Sequence, residues 1–470
     1  MGYIPNISQK EQMLKEIGLS SIDELFSDIP KEIKINSLKL PEALSEYELR
    51  KDFNKIVAAN KPVTEISSFL GAGVYHHTIP AFVSTLINRS EFYSCYTPYQ
   101  PELSQGMLQA LFEYQSLVAE LTAMDAANTS MYDAPTALGE AALMSVRITK
   151  KNEFIIPKAM HWDKLSVLKN YIKWVGIKLK EIPYLTETGT LDLDTLKNKV
   201  NDNTAGVYVE NPNFFGVFED GVTDIKELIG KALLVVGVNP VSLGMVKPPG
   251  EFGADIVIGE FQELGSPPNF GGPLNGLFAC RKEYIRKMPG RIIGLTQDTA
   301  GRQAFCMTLQ TREQYIRREK ATSNICTNEA LCALSSAIHL GALGKSGLRE
   351  LSRQNLLRGQ YLATQLGQIT GIQAPLFKNQ HFNEFVMKMD KDSEDVLTKL
   401  ISKNILGGVP LNKHFPELGE AILVATTEVH SGEEYNNYIS TLKRIMSDES
   451  EGQSQSPNRS QSPDQPGGGE

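Results

Sequence analysis

Ala254-Asp255-Ile256-Val257-Ile258-Gly259-Glu260-Phe261-Gln262-Glu263-Leu264-Gly265 (residues 254–265) begins as a strand and ends as a polar loop. Its apolar part is a short continuous run rather than an alternation, which is how a strand covered on both faces reads. The same signature recurs upstream at Phe154-Ile155-Ile156, Gly206-Val207-Tyr208-Val209 and Leu233-Leu234-Val235-Val236, and downstream at Leu277-Phe278-Ala279-Cys280. Helix-like text lies between them, as at Leu165–Trp174. Strands of this kind alternating with helices predict an α/β fold with a large, mostly parallel sheet covered by helices.

Outward from that sheet the pattern changes. Residues 1–60 read as an N-terminal helical arm, with Ser21 three residues before Glu24 as a possible capping box and an amphipathic stretch from Leu40 to Ala59. Residues 61–330 form the large domain, and a helical region is expected from about 310 to 365. Residues 331–446 end as a smaller α+β domain, with strands at Glu384–Lys388 and Ala421–Ala425 and helices at Ser393–Lys403 and Gly432–Ile445. The remaining residues, 447–470, hold five acids against Arg459 and no large apolar side chain. Such a segment buries too little surface to offset its ordering entropy, so it is expected to be a disordered tail.

Composition excludes several function classes. The 470 residues carry 47 basic and 55 acidic side chains, a formal net charge of −8. A basic surface suited to nucleic acid or anionic membrane is not expected. The N-terminus lacks an apolar secretory core, and Asn6 stands where a myristoylation signal after Gly2 wants a hydroxyl. The five cysteines (Cys95, Cys280, Cys306, Cys326, Cys332) form no CxxC and read as reduced, mostly buried thiols of a cytoplasmic protein.

Several motifs have plain structural readings. Gly344-Lys345-Ser346 looks like the end of a phosphate loop, but His339 stands where its first glycine belongs, so a helix stop is expected. Gly71-Ala72-Gly73 lacks the third glycine of a dinucleotide fingerprint. The seven histidines show no helical zinc spacing, and no metal site is expected. Met131–Glu140 leads into an Ala-rich helix with Pro135 in its first turn, which is either an anion site or an ordinary capped helix. Phe92–Glu102, with its tyrosines and prolines, reads as an ordered loop, and Ser104 as the N-cap of the next helix. The charged run ending at Lys320 continues into small polar residues, which suggests packing at an interface or cofactor site.

Taken together, SFLGAGVY (68–75), RSEFY (89–93), YTPYQPELSQG (96–106), SMYDAPTALGEA (130–141), ENPNFFGVFED (210–220), KPPGEFGADIVIGE (247–260), KMPGRIIG (287–294) and QTREQYIRREKATSNICTNEAL (310–331) carry a resemblance. The chain resembles the P-protein family of the glycine cleavage system, in the branch formed by the first (alpha) subunit of its two-subunit members. The resemblance implies a fold-type-I pyridoxal phosphate (PLP) architecture and a glycine dehydrogenase (decarboxylating) activity. In that reaction glycine forms an imine with PLP, CO₂ leaves, and the aminomethyl group passes to the lipoyl arm of H-protein.

One departure is informative. The cofactor-bearing subunit resembles His-Lys-Thr after this strand; a gapless alignment puts Gln262 at the histidine and Glu263 at the lysine. No lysine lies between Lys247 and Lys282. The acid that partners the pyridine nitrogen should follow Leu233–Val236, where Gly237 stands instead. Neither Glu nor Gln forms an imine, and glycine stabilises no pyridinium. The resemblance therefore implies that PLP sits on the partner, subunit 2, and that this chain holds no catalytic or cofactor-binding residue of its own. Tyr96, Tyr99 and Gln100 are the candidates for reaching into the partner's site. Arg312, Arg317, Arg318 and Lys320 are expected near the partner or an anion, without assigned roles. Two other readings stand beside this one: an enzyme active alone, with Lys320 as the only suggestive lysine, and a small-molecule sensor or scaffold whose vacated pocket lies near Thr136 and Glu263.

Overall fold

The computed structural model describes residues 6–35, 37–93, 95–310 and 313–447. The tail expected beyond residue 447 and Arg312 lie outside the described residues. The chain divides into two compact units, Met1–Pro62 and Val63–Glu470.

The first unit contains α1 (Lys10–Glu16) and α2 (Glu46–Val57). A capping box at Ser45 and Glu48 starts α2: the Ser45 hydroxyl accepts from the Glu48 amide, and the Glu48 carboxylate accepts from the Ser45 amide. The box expected at Ser21 does not form. Ile22–Phe26 is a 3₁₀ turn with no side-chain cap at Ser21, and the hydroxyls of Ser20 and Ser21 both turn to the Glu24 carboxylate.

The second unit is built on a seven-stranded sheet. Its strands are β1 (Ala126–Ala127), β2 (Glu153–Pro157), β3 (Lys178–Ile182), β4 (Thr204–Asn211), β5 (Leu233–Val238), β6 (Ile256–Glu260) and β7 (Gly276–Cys280). Their spatial order is β1-β7-β6-β5-β4-β2-β3, with every pairing parallel except those of β7, which runs against both neighbours. Side chains alternate between two cores, as a pleated strand requires. Ile155, Val207, Val209, Leu234, Val236 and Val257 pack with α3 (Gln105–Thr122) and with the long helical stretch that starts at Ala330. Phe154, Ile156, Tyr208, Leu233, Val235 and Ile258 pack on the other face with α4 (Ala134–Thr149) and α5 (Trp162–Ile172). Both faces being covered is why the strands read as unbroken apolar runs.

Several features differ from the expectation. Residues 292–308 form an antiparallel pair, β8 (Ile292–Gln297) and β9 (Gln303–Thr308), in text read as neither strand nor helix. The helical region begins in earnest only at α6 (Ala330–Leu366), preceded by the single turn Gln314–Arg317. Gly344 breaks α6, with φ 57° and ψ −174°, so it ends one helix and the chain starts another. Ser104 does occupy the N-cap of α3, but its hydroxyl contacts the Cys95 sulfur and makes no capping bond. All five cysteines are free thiols; of these Cys280 is buried and Cys326 exposed, against the expectation of mostly buried thiols.

The C-terminal part is a four-stranded antiparallel sheet, β10 (Ile372–Gln373), β11 (Glu384–Met389), β12 (Val409–Pro410) and β13 (Ala421–Ala425), in the order β10-β11-β13-β12. It carries α7 (Ser393–Ile401) and α8 (Gly432–Ser447). Phe69 is fully buried there, its ring centroid 4.3 Å from that of Tyr438, and its amide donates to Leu406. That anchor brings the following Gly71–Tyr75 loop to the C-terminal ends of the large sheet.

Candidate functional site

Parallel sheets place ligands at the carboxyl ends of their strands. There a cavity of about 390 Å³ opens, lined by the Gly71–Tyr75 loop, by His161–Lys164 at the start of α5, and by Tyr208, Glu210, Gly237, Glu260, Glu263 and Glu384.

Glu263 is 2% exposed. Its carboxylate accepts from the Asn239 side chain (3.2 Å) and the Val241 amide (3.3 Å). His77 Nε2 lies 3.4 Å from Glu263 Oε2, close enough to ion-pair but outside hydrogen-bond geometry. His77 Nδ1 meets Glu428 Oε2 at 2.8 Å. Burial alone would push the His77 pKa down; the flanking Glu263 and Glu428 carboxylates outweigh it and raise it to about 9. Burial likewise opposes ionisation of Glu428, yet its bond to His77 brings that carboxyl down to about 2. Neighbouring Gln262 holds the loop from both sides, accepting from the Tyr75 amide (3.3 Å) and donating to the Tyr75 carbonyl (3.2 Å).

At Gly237, a Cβ would sit 2.4 Å from the Tyr208 hydroxyl. Tyr208 and Glu210 lie two apart on β4 and so share a face, and the register sets Glu210 against Gly237. The Tyr208 hydroxyl donates to Glu210 (2.5 Å), and Lys164 Nζ pairs with the same carboxylate at 2.6 Å. The N-terminus of α4 is filled by the chain's own acids. Asp133 accepts from the Thr136 amide (2.7 Å), Glu260 from the Ala134 amide (3.1 Å), and Pro135 has no N–H. Of the two readings of Met131–Glu140, the structure therefore selects the capped helix. Burial raises Glu260 to about 7 against three backbone donors, and raises Glu384 to about 7 against the Ala72 amide and the Tyr75 hydroxyl.

The residues present do not fit PLP on three counts. The cavity's lysine, Lys164, is committed to Glu210, the Tyr208 phenol occupies the space over Gly237, and the first-turn amides of α4 are taken by Asp133 and Glu260. Lys164, the lysine lining the cavity, is on α5 and paired with Glu210, while Lys320 is exposed and does not line it. Thr136 donates its hydroxyl to Asp133.

Tyr96, Tyr99 and Gln100 do not line this cavity. They lie at the surface, with Tyr96 85% and Tyr99 44% exposed. Tyr99 is fastened: Arg291 Nη2 donates to its hydroxyl at 3.2 Å, the guanidinium lies 5.5 Å from its ring centroid, and Tyr315 meets the ring edge-on at 6.4 Å. Arg317, Arg318 and Lys320 are exposed. Sequence reasoning did not single out His77, Glu428, Tyr208 or Arg291. Tyr208 alone left a signal, its two-residue spacing from Glu210 at the end of a strand.

A sequence model described as "Glycine cleavage system P-protein" matches residues 1–442. The chain belongs to the glycine cleavage system P-protein family. Relatives in this family include proteins described as "Probable glycine dehydrogenase (decarboxylating) subunit 1". One from Pyrococcus abyssi is 51% identical over 94% of this chain and 99% of its own length. Another from Desulfitobacterium hafniense is 47% identical over 95% and 100%. A crystal structure of glycine decarboxylase (P-protein) in inhibitor-bound form superposes with a TM-score of 0.86 at 39% identity, covering 95% of this chain and all of that one. A bacterial sphingosine-1-phosphate lyase, at 11% identity and a TM-score of 0.63, shares the fold alone. The architecture of this P-protein chain is the fold-type-I one of PLP-dependent enzymes. No described helix is long and apolar enough to cross a membrane.

Proposed function

We propose that this P-protein chain is the half of a two-subunit glycine decarboxylase that leaves PLP to its partner. Subunit 2 carries the cofactor, and this chain folds beside it and lends Tyr96, Tyr99 and Gln100 to the shared site. The complex decarboxylates glycine and passes the aminomethyl group to the lipoyl arm of H-protein. The observation that supports the reading is Glu263, a buried carboxylate paired with His77 and bonded to Asn239 in the loop after β6, where the resemblance expects the cofactor lysine. With His77 between Glu263 and Glu428, no buried charge here is left without an opposite charge, a state that would be strongly destabilising. The relatives' description as subunit 1 adds support for a heteromer.

The test is expression with and without subunit 2. Size-exclusion mass and glycine–bicarbonate exchange are followed with PLP and lipoylated H-protein present. Exchange only in the mixed complex is expected. Exchange by this chain alone, with a lysine that borohydride fixes to PLP, would refute the reading.

A further inference from the structure

Arg291 is 6% exposed, yet no carboxylate among the described residues pairs with it within ion-pairing distance. Its guanidinium donates to neutral acceptors, Asn328 Oδ1 and the Tyr99 hydroxyl, both at 3.2 Å. Its buried Nε has no partner. Asn328 is itself held by the Thr129 carbonyl and the Ser130 hydroxyl, so it cannot swing away. A buried cation with only neutral partners is costly and is normally completed by an anion.

The Tyr99 hydroxyl points to where that anion enters. A phenol oxygen can accept one bond while its proton is given to another group. Here the accepting side is taken by Arg291. The hydroxyl's own proton has no acceptor among the described residues, although the ring is fixed by the guanidinium and by Tyr315. A donor backed by a cation is strengthened toward an anionic acceptor, because linked hydrogen bonds polarise one another.

We propose that Arg291 is a positioning residue that holds Tyr99 as a hydrogen-bond donor for a carboxylate arriving from outside this chain, that of the small amino-acid substrate bound to the partner subunit. This rests on the reading that Tyr99 faces the partner's site. A carboxylate side chain of the partner would present the same chemistry, and the experiment separates the two sources.

The complex of this chain with subunit 2 is assembled with Arg291→Gln, Arg291→Lys or Tyr99→Phe. Glycine KM and kcat, inhibition by methylamine (an amine lacking the carboxylate) and the subunit dissociation constant are measured. The expected result is a rise in glycine KM of ~10–100-fold in both Arg291→Gln and Tyr99→Phe, the range of a hydrogen bond to a charged group. Arg291→Lys, which keeps the charge but cannot span both Tyr99 and Asn328, should recover only part of it. Methylamine inhibition and subunit affinity should stay within about twofold, smaller than the loss of one such bond. Weakened subunit affinity with unchanged KM would identify a partner side chain and overturn the substrate assignment. Normal kinetics in Tyr99→Phe would defeat the reading of Tyr99 itself, whereas an effect of Tyr99→Phe that neither Arg291 variant reproduces would defeat only the role of Arg291. Should Arg291→Gln not assemble, Arg291→Lys with Tyr99→Phe decides the same question.

Discussion

Glu263 accepts from the Asn239 side chain and the Val241 amide and faces the His77 cation. Replacing it with lysine would leave Nζ beside that cation, with Glu428 alone to balance two positive charges. Breaking a buried pair in this way costs about 3–5 kcal/mol. Glu263→Lys is therefore expected to lower the urea midpoint sharply and to produce no borohydride-fixed PLP adduct in this chain alone. A stable variant that does fix PLP would mean the cavity has kept its cofactor geometry. Restoring the ring acid with Gly237→Asp meets a second obstacle, since its Cβ would press on the Tyr208 hydroxyl. These two positions drew attention in the sequence because they depart from the pattern that the resemblance implies. Their partners were not, since His77 and Glu428 are separated by hundreds of residues and nothing local marks them as a pair.

Among the elements, the strands of the large sheet were readable because burial on both faces leaves a continuous apolar run in each. The pair β8–β9 was missed because its text is mixed: Phe305 and Met307 are buried, while Leu295 and Thr296 on the facing strand are exposed. Gly344 marks a helix stop in either reading, but only the backbone shows that helix resumes at once. Its φ of 57° with ψ −174° belongs to a region open essentially to glycine, and no atom crowds the position of a Cβ there. Gly344→Ala is expected to cost about 1–3 kcal/mol through backbone strain alone. The urea midpoint should fall by the corresponding amount with little change in glycine–bicarbonate exchange of the complex. An unchanged midpoint would show that α6 can straighten through this position.

The whole molecule should lose stability as pH rises from mildly acidic to alkaline. His77 has a folded pKa of about 9 against an ordinary 6.5. Its contribution is fully present below about pH 6.5 and is lost as pH climbs through about 9. Glu428, at about 2 against 4.5, contributes fully above about pH 4.5 and loses that as pH falls toward 2. Glu260 and Glu384 move the other way from most carboxylates: raised to about 7, they favour the fold below about pH 4.5 and progressively less as pH rises through 7. Each such shift is worth at most about 3 kcal/mol. Glu384→Gln should flatten the stability profile between about pH 4.5 and 7, and His77→Gln the part between about 6.5 and 9. Profiles parallel to that of the unaltered chain would refute the assignment. The sequence by itself determined the α/β class, the order of the strands along the chain and the family, and it raised the expectation that Glu263 and Gly237 replace cofactor residues. Those follow from local hydrophobic period and from residue identity at a fixed distance after a strand. Only the tertiary structure decided what surrounds Glu263 and Gly237, that the α4 terminus is already capped, and that Tyr99 is held by a buried arginine. Those are contacts between residues far apart in the chain, and they exist only once packing has brought the charges together and removed the water that would otherwise screen them.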